Sequence, residues 1–492
     1  MNPGTKRVPV LIAGGGTCGL AAACELLRRG VPVRVLEAEA GPNQGSRAIL
    51  LWPLGLAVLR HLGLHDEAVR RGLPLKALVY HLDGGRRLRS EIGEENQALL
   101  LPQDRTSALL EEELVRLGGR VERSTRVTDV TAEGDCATVK ATGPEGTELI
   151  EADWLIGADG IGSTVRQSLG IDFPGSSLPT TYLAAEGCID GEAERGAVHY
   201  FLRSTGPMVY APLTGGITRL GTPVGPDTPV TPETVQHLLD LRGPGGLQVR
   251  ELDTLTTFGS QERIAADFRR GRVFLVGDAA HAHSPIGGQG LNLGLQDVHN
   301  LAWKLAGVID GRLDPAVLDT YAVERRHAAE LTVANTGRFT RMFTLGPRAA
   351  RARNAGWRLL EATGVLRRRL IPLLAGWRVQ YPAGPLTAAA ERGGRRARRV
   401  TAPGARTPHW AEQTASPDPA PFRLVTTGPA DGPLARAARD LAAQRPGLAV
   451  HRHVARPGAS FLLLRPDGFV ASSGAAPRDL HEAARLLADA AA

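Results

Sequence analysis

The sequence is poor in aromatic residues and in cysteine. Phenylalanine, tryptophan and tyrosine make up 4% of its 492 residues. The four cysteines are Cys18, Cys24, Cys136 and Cys188. None of them forms a C-x-x-C or metal-ligand spacing, which argues against a disulfide framework and a zinc site. We therefore interpret each as a small buried residue and expect a cytoplasmic protein.

Long apolar runs are also missing. No uninterrupted run reaches the roughly 18 residues that a membrane span needs. The first apolar segment is interrupted by glycines after Ala13, so it does not have the pattern of a signal peptide. Because 42% of the residues are hydrophobic, the chain can bury large cores, and its length predicts about two to four domains.

The net charge of +7 raises the question of a nucleic-acid partner. Much of the excess lies in the arginines between Arg338 and Arg399. Few aromatic side chains alternate with them, so base stacking is not indicated. We interpret the region as a solvated helical face and expect no nucleic-acid partner, with a monomer or a homodimer both open.

A glycine-rich loop follows the first predicted strand. Val8–Ala13 is apolar and rich in β-formers, whereas Leu20–Arg29 has helical spacing. The loop between them has the pattern G-x-G-x-x-G, formed by Gly14, Gly16 and Gly19. A second strand, Val31–Leu36, ends at Glu37, whose carboxylate can accept a ribose hydroxyl. The pattern predicts a dinucleotide-binding unit for FAD or NAD, because an acid at this position favours a ribose without a phosphate.

Two later apolar runs also end in an acid beside a glycine. One ends at Asp159-Gly160 and the other at Gly277-Asp278. Open α/β sheets bind ligands at the carboxyl ends of their strands. If these strands share a sheet with the first strand, both acids face the same cleft as the glycine loop.

A turn rich in glycine and proline separates the predicted buried strand Arg272–Val276 from a helix that starts near Leu291. Its glycines allow close approach of a ligand, and the first N–H groups of the helix suit an anionic or electron-rich ring. The residues expected at this ligand are Pro285, Gly288, Gly290, Leu291 and Asn292. An ordinary strand-to-helix turn is the structural alternative.

Further polar side chains are candidates for the same ligand. Arg47 can pair with a pyrophosphate, Gln103 with a cofactor edge and Arg105 with a phosphate. The alternatives are a surface arginine at position 47 and helix capping by the other two. His281 and His283 lie one residue apart, but no third ligand is near in sequence, so no metal site is predicted.

The predicted fold class is α/β with an inserted sheet. We predict a Rossmann-type first domain formed by residues 1–171 and 262–400, the latter including a helical region. Residues 172–261 have the alternation of an antiparallel substrate-binding sheet, and residues 401–492 have the pattern of a compact α/β domain. The candidates for a pocket on the sheet are His199, Tyr200, Met208 and Tyr210, each of which could instead be an ordinary core or surface residue.

With these motifs, the chain resembles the class A, single-component flavoprotein monooxygenases, the aromatic hydroxylase family. Three motifs of that family occur in order, starting at Gly14, at Asp159 (DGIGSTVR) and at Gly277 (GDAAHAHSPIGGQGLN). The segments PGARTPH and RPDGFV resemble the thioredoxin-like C-terminal domain of the subgroup that acts on phenols and aromatic polyketides. This domain has no C-x-x-C here, so we expect no redox role for it. Two positions depart from the family pattern, Thr17 in place of Pro and Ser107 in place of Glu.

The resemblance implies FAD as the cofactor and NAD(P)H as a co-substrate. The implied contacts run from the adenosine ribose to the flavin ring: Glu37 at the ribose, Arg47 and Gln103 at FAD, Asp278 at the ribityl chain, Pro285 to Leu291 beside the isoalloxazine, and Asp159-Gly160 at both FAD and NAD(P)H.

The implied reaction is hydroxylation of an aromatic substrate, phenolic or a polycyclic polyketide, by dioxygen through a flavin hydroperoxide. A Baeyer–Villiger oxygenase or an epoxidase shares these motifs and stays open as an alternative. A flavin halogenase would need a W-x-W-x-I-P segment, which Trp52-Pro53 does not supply. The non-enzymatic alternative is a flavin-binding interaction protein. Neither the substrate nor the choice between NADH and NADPH follows from the sequence.

Overall fold

The computed structural model describes residues 6–42, 48–83, 85, 87–343, 345, 347–389, 400–408, 411 and 422–492, and only the backbone of residues 178, 179 and 347. Arg47 therefore lies outside the described residues. Within them, every helix is too short or too polar to span a bilayer. The same part of the chain contains no group of three His, Cys, Asp or Glu residues placed to hold a metal ion.

The strands are β1 (Lys6–Ala13), β2 (Val33–Leu36), β3 (Leu50–Leu51), β4 (Leu73–Leu75), β5 (Ala77–Leu82), β6 (Arg87–Glu91), β7 (Ala98–Leu100), β8 (Val121–Glu122), β9 (Arg126–Glu133), β10 (Cys136–Gly143), β11 (Gly146–Gly157), β12 (Gly175–Asp190), β13 (Ala197–Arg203), β14 (Gly206–Pro212), β15 (Ile217–Val224), β16 (Gln248–Ile264), β17 (Arg269–Arg270), β18 (Val273–Leu275), β19 (His281–Ala282), β20 (Phe422–Thr427), β21 (Ala449–His453), β22 (Ser460–Leu464) and β23 (Val470–Gly474).

The α-helices are α1 (Thr17–Leu27), α2 (Pro53–His61), α3 (His65–Arg71), α4 (Gln103–Arg116), α5 (Thr164–Ser168), α6 (Pro232–Arg242), α7 (Gly290–Ile309), α8 (Asp319–Phe343), α9 (Pro347–Ala362), α10 (Ile371–Leu374), α11 (Pro433–Ala443) and α12 (Leu480–Ala490). Short helical turns lie at Glu94–Asn96, Thr214–Gly216, Gly277–Ala279, Pro315–Leu318, Leu366–Leu370 and Pro477–Asp479.

The first sheet carries the three predicted ligand-binding strand ends. Its strand order is β17-β18-β11-β1-β2-β8, with β10 and β9 added beside β11. Strands β18, β11, β1, β2 and β8 are parallel to one another, whereas β17 and β10 pair with this set antiparallel. The strands that end before Gly14, Asp159 and Asp278 are thus adjacent, and their carboxyl ends meet at one edge of the sheet. This parallel arrangement confirms the Rossmann-type prediction.

The second sheet is larger than the inserted segment. Its order is β19-β16-β12-β15-β14-β13-β5-β6, so strands from outside residues 172–261 occupy both of its ends. The pairing is antiparallel except between β13 and β5, which run parallel. One face of the sheet is covered by α6, which buries Val235, Leu238 and Leu239 against it. The other face is left for a cleft against the first domain.

The apolar run Leu50–Leu62 contains a strand as well as a helix. Its sequence pattern predicts a helix over the whole run, but Leu50–Leu51 pairs with β7 as a strand. The helix α2 begins at Pro53 instead. Proline is favoured in the first helical turn because it has no N–H group to satisfy there, and this fixes where the helix starts.

The helix α7 lies at the centre of the molecule. Its residues from Leu291 to Gly307 are buried, and it packs against α1, α2 and α8. At its C-terminal half, Trp303 contacts Phe422 of the C-terminal domain edge-on, with ring centroids 5.7 Å apart. That domain has the strand order β21-β20-β22-β23 with α11 and α12. Residues 422–492 thus contain both strands and helices, whereas the thioredoxin-like character of the domain stays a prediction.

Candidate functional site

The glycine loop after β1 is shaped by two very close backbone contacts. Gly14 has φ +106°, and a Cβ there would lie 2.3 Å from the carbonyl oxygen of Ala158. A Cβ on Gly19 would lie 1.9 Å from the carbonyl oxygen of Gly14. At Gly16, by contrast, a Cβ would meet nothing within 4 Å. The loop is therefore packed tightly on the protein side and open at the N-terminus of α1, where backbone N–H groups suit a phosphate.

Glu37 is oriented by the backbone at the end of β2. Its Oε2 accepts a hydrogen bond from the Gly15 N–H at 2.6 Å, and its Oε1 accepts one from the Glu39 N–H at 2.9 Å. A carboxylate has about four acceptor positions, so further hydrogen bonds to a ribose remain possible. The side chain is thus held beside the glycine loop, as the dinucleotide motif requires.

Asp159 offers an unused acceptor at the end of β11. Its Oδ2 accepts a hydrogen bond from the Val165 N–H at 3.0 Å. Its Oδ1 is buried and has no hydrogen-bond partner among the described residues. Burial raises the pKa of this carboxyl group. Next to it, Gly160 has φ +76° and open space where a Cβ would project. A ligand hydroxyl at this position would satisfy the orphaned oxygen.

Arg166 joins two of the motifs and was not identified from the sequence. It is 5% exposed, and its guanidinium donates to the carbonyl oxygens of Ala279 and Ile161, both at 2.8 Å. The loop after Asp159 is therefore tied to the turn that carries Asp278. The only signal in the sequence was its position as the last residue of DGIGSTVR.

The turn at Gly277-Asp278 packs directly on the first helix. Gly277 has φ +60°, and a Cβ there would lie 2.7 Å from Cys18 Sγ. Its N–H donates to Asp297 Oδ2 at 3.0 Å. Asp278 itself is exposed at the carboxyl end of the sheet. The backbone of this turn is thus fixed by α1 and α7, and the acid lies exposed beside the carboxyl end of β18.

The Pro285–Asn292 turn is fixed by hydrogen bonds that involve Trp52 and Asn292. Trp52 Nε1 donates to the Gly287 carbonyl oxygen at 2.9 Å, and the Trp52 N–H donates to Asn292 Oδ1 at 2.7 Å. Asn292 Nδ2 donates to the carbonyl oxygens of Leu50 and Gly288, both at 2.9 Å. The side chain of Asn292, predicted at the ligand, is thus used on the backbone. Its role in this structure is to fix the glycine turn.

A large cleft lies between the second sheet and this turn. Its empty space, counted to the open mouth, is ≈ 960 Å³. The lining residues include Ile49, Tyr182, Val198, Tyr200, Met208, Val209, Arg219, Phe258, Pro285, Ile286, Gly288 and Phe343. Tyr182 and Phe258 form a stacked pair with ring centroids 5.8 Å apart. The cleft is mainly apolar and aromatic, which suits a flat hydrophobic ligand.

The four sheet candidates divide between two faces. Tyr200 lines the cleft, as does the predicted Pro285. Met208 borders the cleft as well, but it is buried in the core beneath α6. The structure does not place His199 and Tyr210 there. His199 Nδ1 lies 3.0 Å from His81 Nε2, and Tyr210 belongs to the core beneath α6. Successive side chains of a strand point to opposite faces, so His199 and Tyr200 could not both face the cleft.

Arg219 is the charged member of the cleft lining and was not identified from the sequence. It is 7% exposed, and its Nη1 lies 3.3 Å from Glu186 Oε2. Burial lowers the pKa of Arg219 and raises the pKa of Glu186. A buried arginine in an apolar cleft can bind an oxygen atom that carries negative charge.

The helix α4 reaches the edge of the site. Gln103 is its first residue, and the backbone N–H of Gln103 donates to the Ala48 carbonyl oxygen at 2.9 Å. Arg105 Nη1 donates to Thr214 Oγ1 at 2.7 Å, which ties α4 to the second sheet. Gln103 thus lies beside the strand that leads to the cleft, whereas Arg105 has a structural partner. Leu291 is buried in the first turn of α7.

Comparison with known proteins identifies relatives over nearly the whole chain. Residues 7–336 match a family model described as an FAD binding domain. A 12-dehydrotetracycline 5-monooxygenase/anhydrotetracycline 6-monooxygenase from Streptomyces rimosus subsp. rimosus is 34% identical over 94% of this chain and 95% of its own. A 6-methylpretetramide 4-monooxygenase from Streptomyces rimosus is 34% identical over 79% of this chain and 72% of its own.

Solved structures agree with this relationship. An anhydrotetracycline hydroxylase from Streptomyces rimosus matches with a TM-score of 0.73 and 31% identity, over 95% of this chain and 96% of that one. An aklavinone-11 hydroxylase, solved with FAD and aklavinone, matches with a TM-score of 0.76 and 25% identity, over 99% and 100% of the two chains.

The residues present fit FAD. The loop is open at Gly16, Glu37 is oriented for a ribose, and the orphaned Asp159 Oδ1 requires a donor. These groups line the carboxyl ends of adjacent strands, as a bound dinucleotide needs. The match to the family model covers most of the chain. The chain therefore belongs to the FAD-dependent aromatic hydroxylase family of flavoprotein monooxygenases.

Proposed function

We propose that this FAD-dependent monooxygenase hydroxylates a polycyclic aromatic polyketide that carries an ionisable phenol or enol. The observation that carries the proposal is the apolar, aromatic-walled cleft, in which Arg219 is the charged residue among the described lining residues. Relatives that match most of this chain are named for tetracycline-type substrates. A flat ring system of several fused rings suits the aromatic walls of such a cleft.

When bound, FAD supplies the redox chemistry by which NAD(P)H and dioxygen add one oxygen atom to an aromatic carbon. The protein binds, orients and shields the reacting groups. Glu37 holds the ribose end, and Asp159 and Asp278 accept hydrogen bonds from hydroxyl groups further along. The N-terminus of α7 favours negative charge on the reduced ring by about 0.3–2 kcal/mol. Pro285 and Ile286 line the side of the cleft opposite the second sheet. Their apolar side chains exclude water from the cleft.

Arg219 and the aromatic walls orient the substrate. Stacking on Tyr182, Phe258 or Tyr200 requires a flat ring system. A hydrogen bond from the Arg219 guanidinium to a phenolate or enolate oxygen is worth roughly 1.5–3 kcal/mol. The same contact holds the oxygen substituent that makes the neighbouring ring carbon electron-rich, and this carbon is the one that accepts oxygen.

The test combines a substrate panel with labelled dioxygen. The purified protein is expected to be yellow and to consume NAD(P)H faster with polycyclic phenols and quinones than with single-ring phenols. Mass spectrometry with ¹⁸O₂ should then show one labelled oxygen on a ring carbon. Insertion of the label into a carbon–carbon bond would instead indicate a Baeyer–Villiger oxygenase. A colourless folded protein, or NAD(P)H oxidation that no panel member stimulates, would contradict the proposal.

A further inference from the structure

The turn at Gly277-Asp278 depends on a carboxylate that lies outside the three segments named above. Asp297 is fully buried on α7. Its Oδ2 accepts a hydrogen bond from the Gly277 N–H at 3.0 Å. The same oxygen lies 2.6 Å from His281 Nε2. It therefore holds the turn at two points, before and after Asp278. Any displacement of Asp297 would move the backbone that presents Asp278 to FAD.

Asp297 is in turn connected to the segment that leads to the C-terminal domain. Its Oδ1 accepts a hydrogen bond from Arg325 Nε at 2.8 Å. Arg325 Nη1 donates to the hydroxyl oxygen of Tyr381 at 3.0 Å. The Tyr381 ring stacks on Phe469 of the C-terminal domain, with ring centroids 3.7 Å apart. A continuous path of contacts thus joins the hairpin between β22 and β23 to the flavin-binding turn.

A second path runs through the same hairpin. Arg465 and Asp467 follow β22 and pair at 2.6 Å. Arg465 Nη2 also donates to Glu324 Oε2 on α8 at 2.7 Å. Asn300 Nδ2 on α7 donates to Asp467 Oδ2 at 2.9 Å and to the Tyr381 hydroxyl at 3.2 Å. The hairpin therefore inserts two charged side chains between α7 and α8.

The two paths form one hydrogen-bond network, whose ionic groups are buried and include as many basic as acidic side chains. Lys304, Arg325 and Arg465 face Asp297, Glu324 and Asp467, and each of the six is at most 4% exposed. Burial opposes the charge of Glu324, but Arg465 and Lys304 lower its pKa to about 2. Burying ion pairs adds little net stability compared with apolar packing, whereas such pairs can specify one geometry. The network is therefore better suited to fixing positions than to holding the domains together.

We propose that the C-terminal domain positions the flavin-binding turn through this network, with Tyr381 and Arg465 as positioning residues. The proposal rests on FAD binding and not on the identity of the substrate. It gives the domain a role other than redox chemistry, which agrees with the absence of cysteine after Cys188 in the sequence. In this arrangement, changes in the hairpin alter how tightly FAD is held and the potential of the bound flavin.

The test uses the full-length protein and a substitution that preserves packing. Tyr381→Phe keeps the ring on Phe469 but removes the hydroxyl that bridges Arg325 and Asn300. The control is Thr427→Val, which removes a buried hydroxyl from the C-terminal domain itself, where Thr427 donates to the Gly458 carbonyl oxygen at 2.7 Å. FAD affinity is measured by flavin fluorescence, and the flavin potential by equilibration with a reference dye.

We expect Tyr381→Phe to weaken FAD binding roughly 2- to 30-fold and to shift the flavin potential, with the Thr427→Val protein like the wild type. Arg465→Lys, which keeps the charge but not the two-sided hydrogen bonding, should act in the same direction. An unchanged FAD affinity and potential in Tyr381→Phe would overturn the proposal, whether or not the protein melts earlier. An equal loss in Thr427→Val would also overturn it, because a general weakening of the domain would then explain both.

Discussion

The close packing of Gly294 against the first helix predicts the result of adding a methyl group there. A Cβ on Gly294 of α7 would lie 2.6 Å from Cys18 Sγ and 3.2 Å from Gly277 Cα. Ordinary heavy-atom contacts are about 3.5–4 Å, so Gly294→Ala overlaps the sulfur by roughly 1 Å. Such overpacking costs about 1–3 kcal/mol, and the better helix propensity of alanine returns about 1 kcal/mol. We expect Gly294→Ala to lower the free energy of unfolding by about 0–2 kcal/mol. It should also weaken FAD binding, because the turn at Gly277 must move.

The same substitution should behave differently without the sulfur. In a Cys18→Ala background only the 3.2 Å contact to Gly277 remains, so the helix propensity dominates. We expect Gly294→Ala to cost less there, with a coupling energy of about 1–3 kcal/mol between the two sites. Urea unfolding at saturating FAD measures the change in the free energy of unfolding. Flavin fluorescence measures the change in FAD affinity.

Gly356→Ala on α9 is the matched control for this pair. A Cβ there meets nothing within 4 Å, so only the gain in helix propensity of about 1 kcal/mol should appear. Equal effects of Gly294→Ala in both backgrounds would refute the reasoning, because the sulfur would then not be the obstacle.

Other predictions concern charged groups of the site and of the network. Arg219→Met should raise KM for a phenolic substrate roughly 10- to 150-fold with FAD affinity unchanged, since one charged hydrogen bond of about 1.5–3 kcal/mol is lost; an unchanged KM would remove Arg219 from substrate binding. Asp278→Ala should release FAD, which gel filtration followed by absorbance spectra would detect. Arg465 and Lys304 hold the pKa of Glu324 below its ordinary value of 4.5, so its stabilisation is present above pH 4.5 and is lost as the pH falls through the lowered pKa. This loss should be absent in Glu324→Gln, as unfolding measured between pH 2 and 5 would show.

Local patterns were sufficient to predict the strand ends of the site. Gly14, Asp159 and Asp278 each follow an apolar run within a few residues, and the runs form adjacent parallel strands. Pairing between distant segments was not predictable in the same way. Strand β5 lies far from the inserted segment in sequence, yet it pairs parallel with β13. Its place in the second sheet depends on burial against that sheet and not on any local signal.

Local sequence patterns also did not predict the roles of several side chains. Alternation in β13 shows that His199 and Tyr200 point to opposite faces, but it does not tell which face has the cleft. Asn292 belongs to a family motif, yet its side chain bonds to backbone groups of Leu50 and Trp52. Arg219 gave no signal because a single arginine in a strand is usually at the surface. In each case the missing information is the identity of a partner that is remote in sequence.

The two departures from the family pattern become one feature in the structure. Thr17 Oγ1 and Ser107 Oγ lie 2.7 Å apart and share a hydrogen bond. Thr17 is 3% exposed at the start of α1, where a proline would have no hydroxyl to offer Ser107. A buried hydroxyl without a partner is unfavourable, so the serine and the threonine satisfy each other. Because α1 begins in the glycine loop and α4 begins at Gln103, this neutral pair joins two helices that start beside the predicted cofactor site. The two departures are therefore partners in one hydrogen bond, and the glycine loop before α1 keeps its close packing at Gly14 and Gly19.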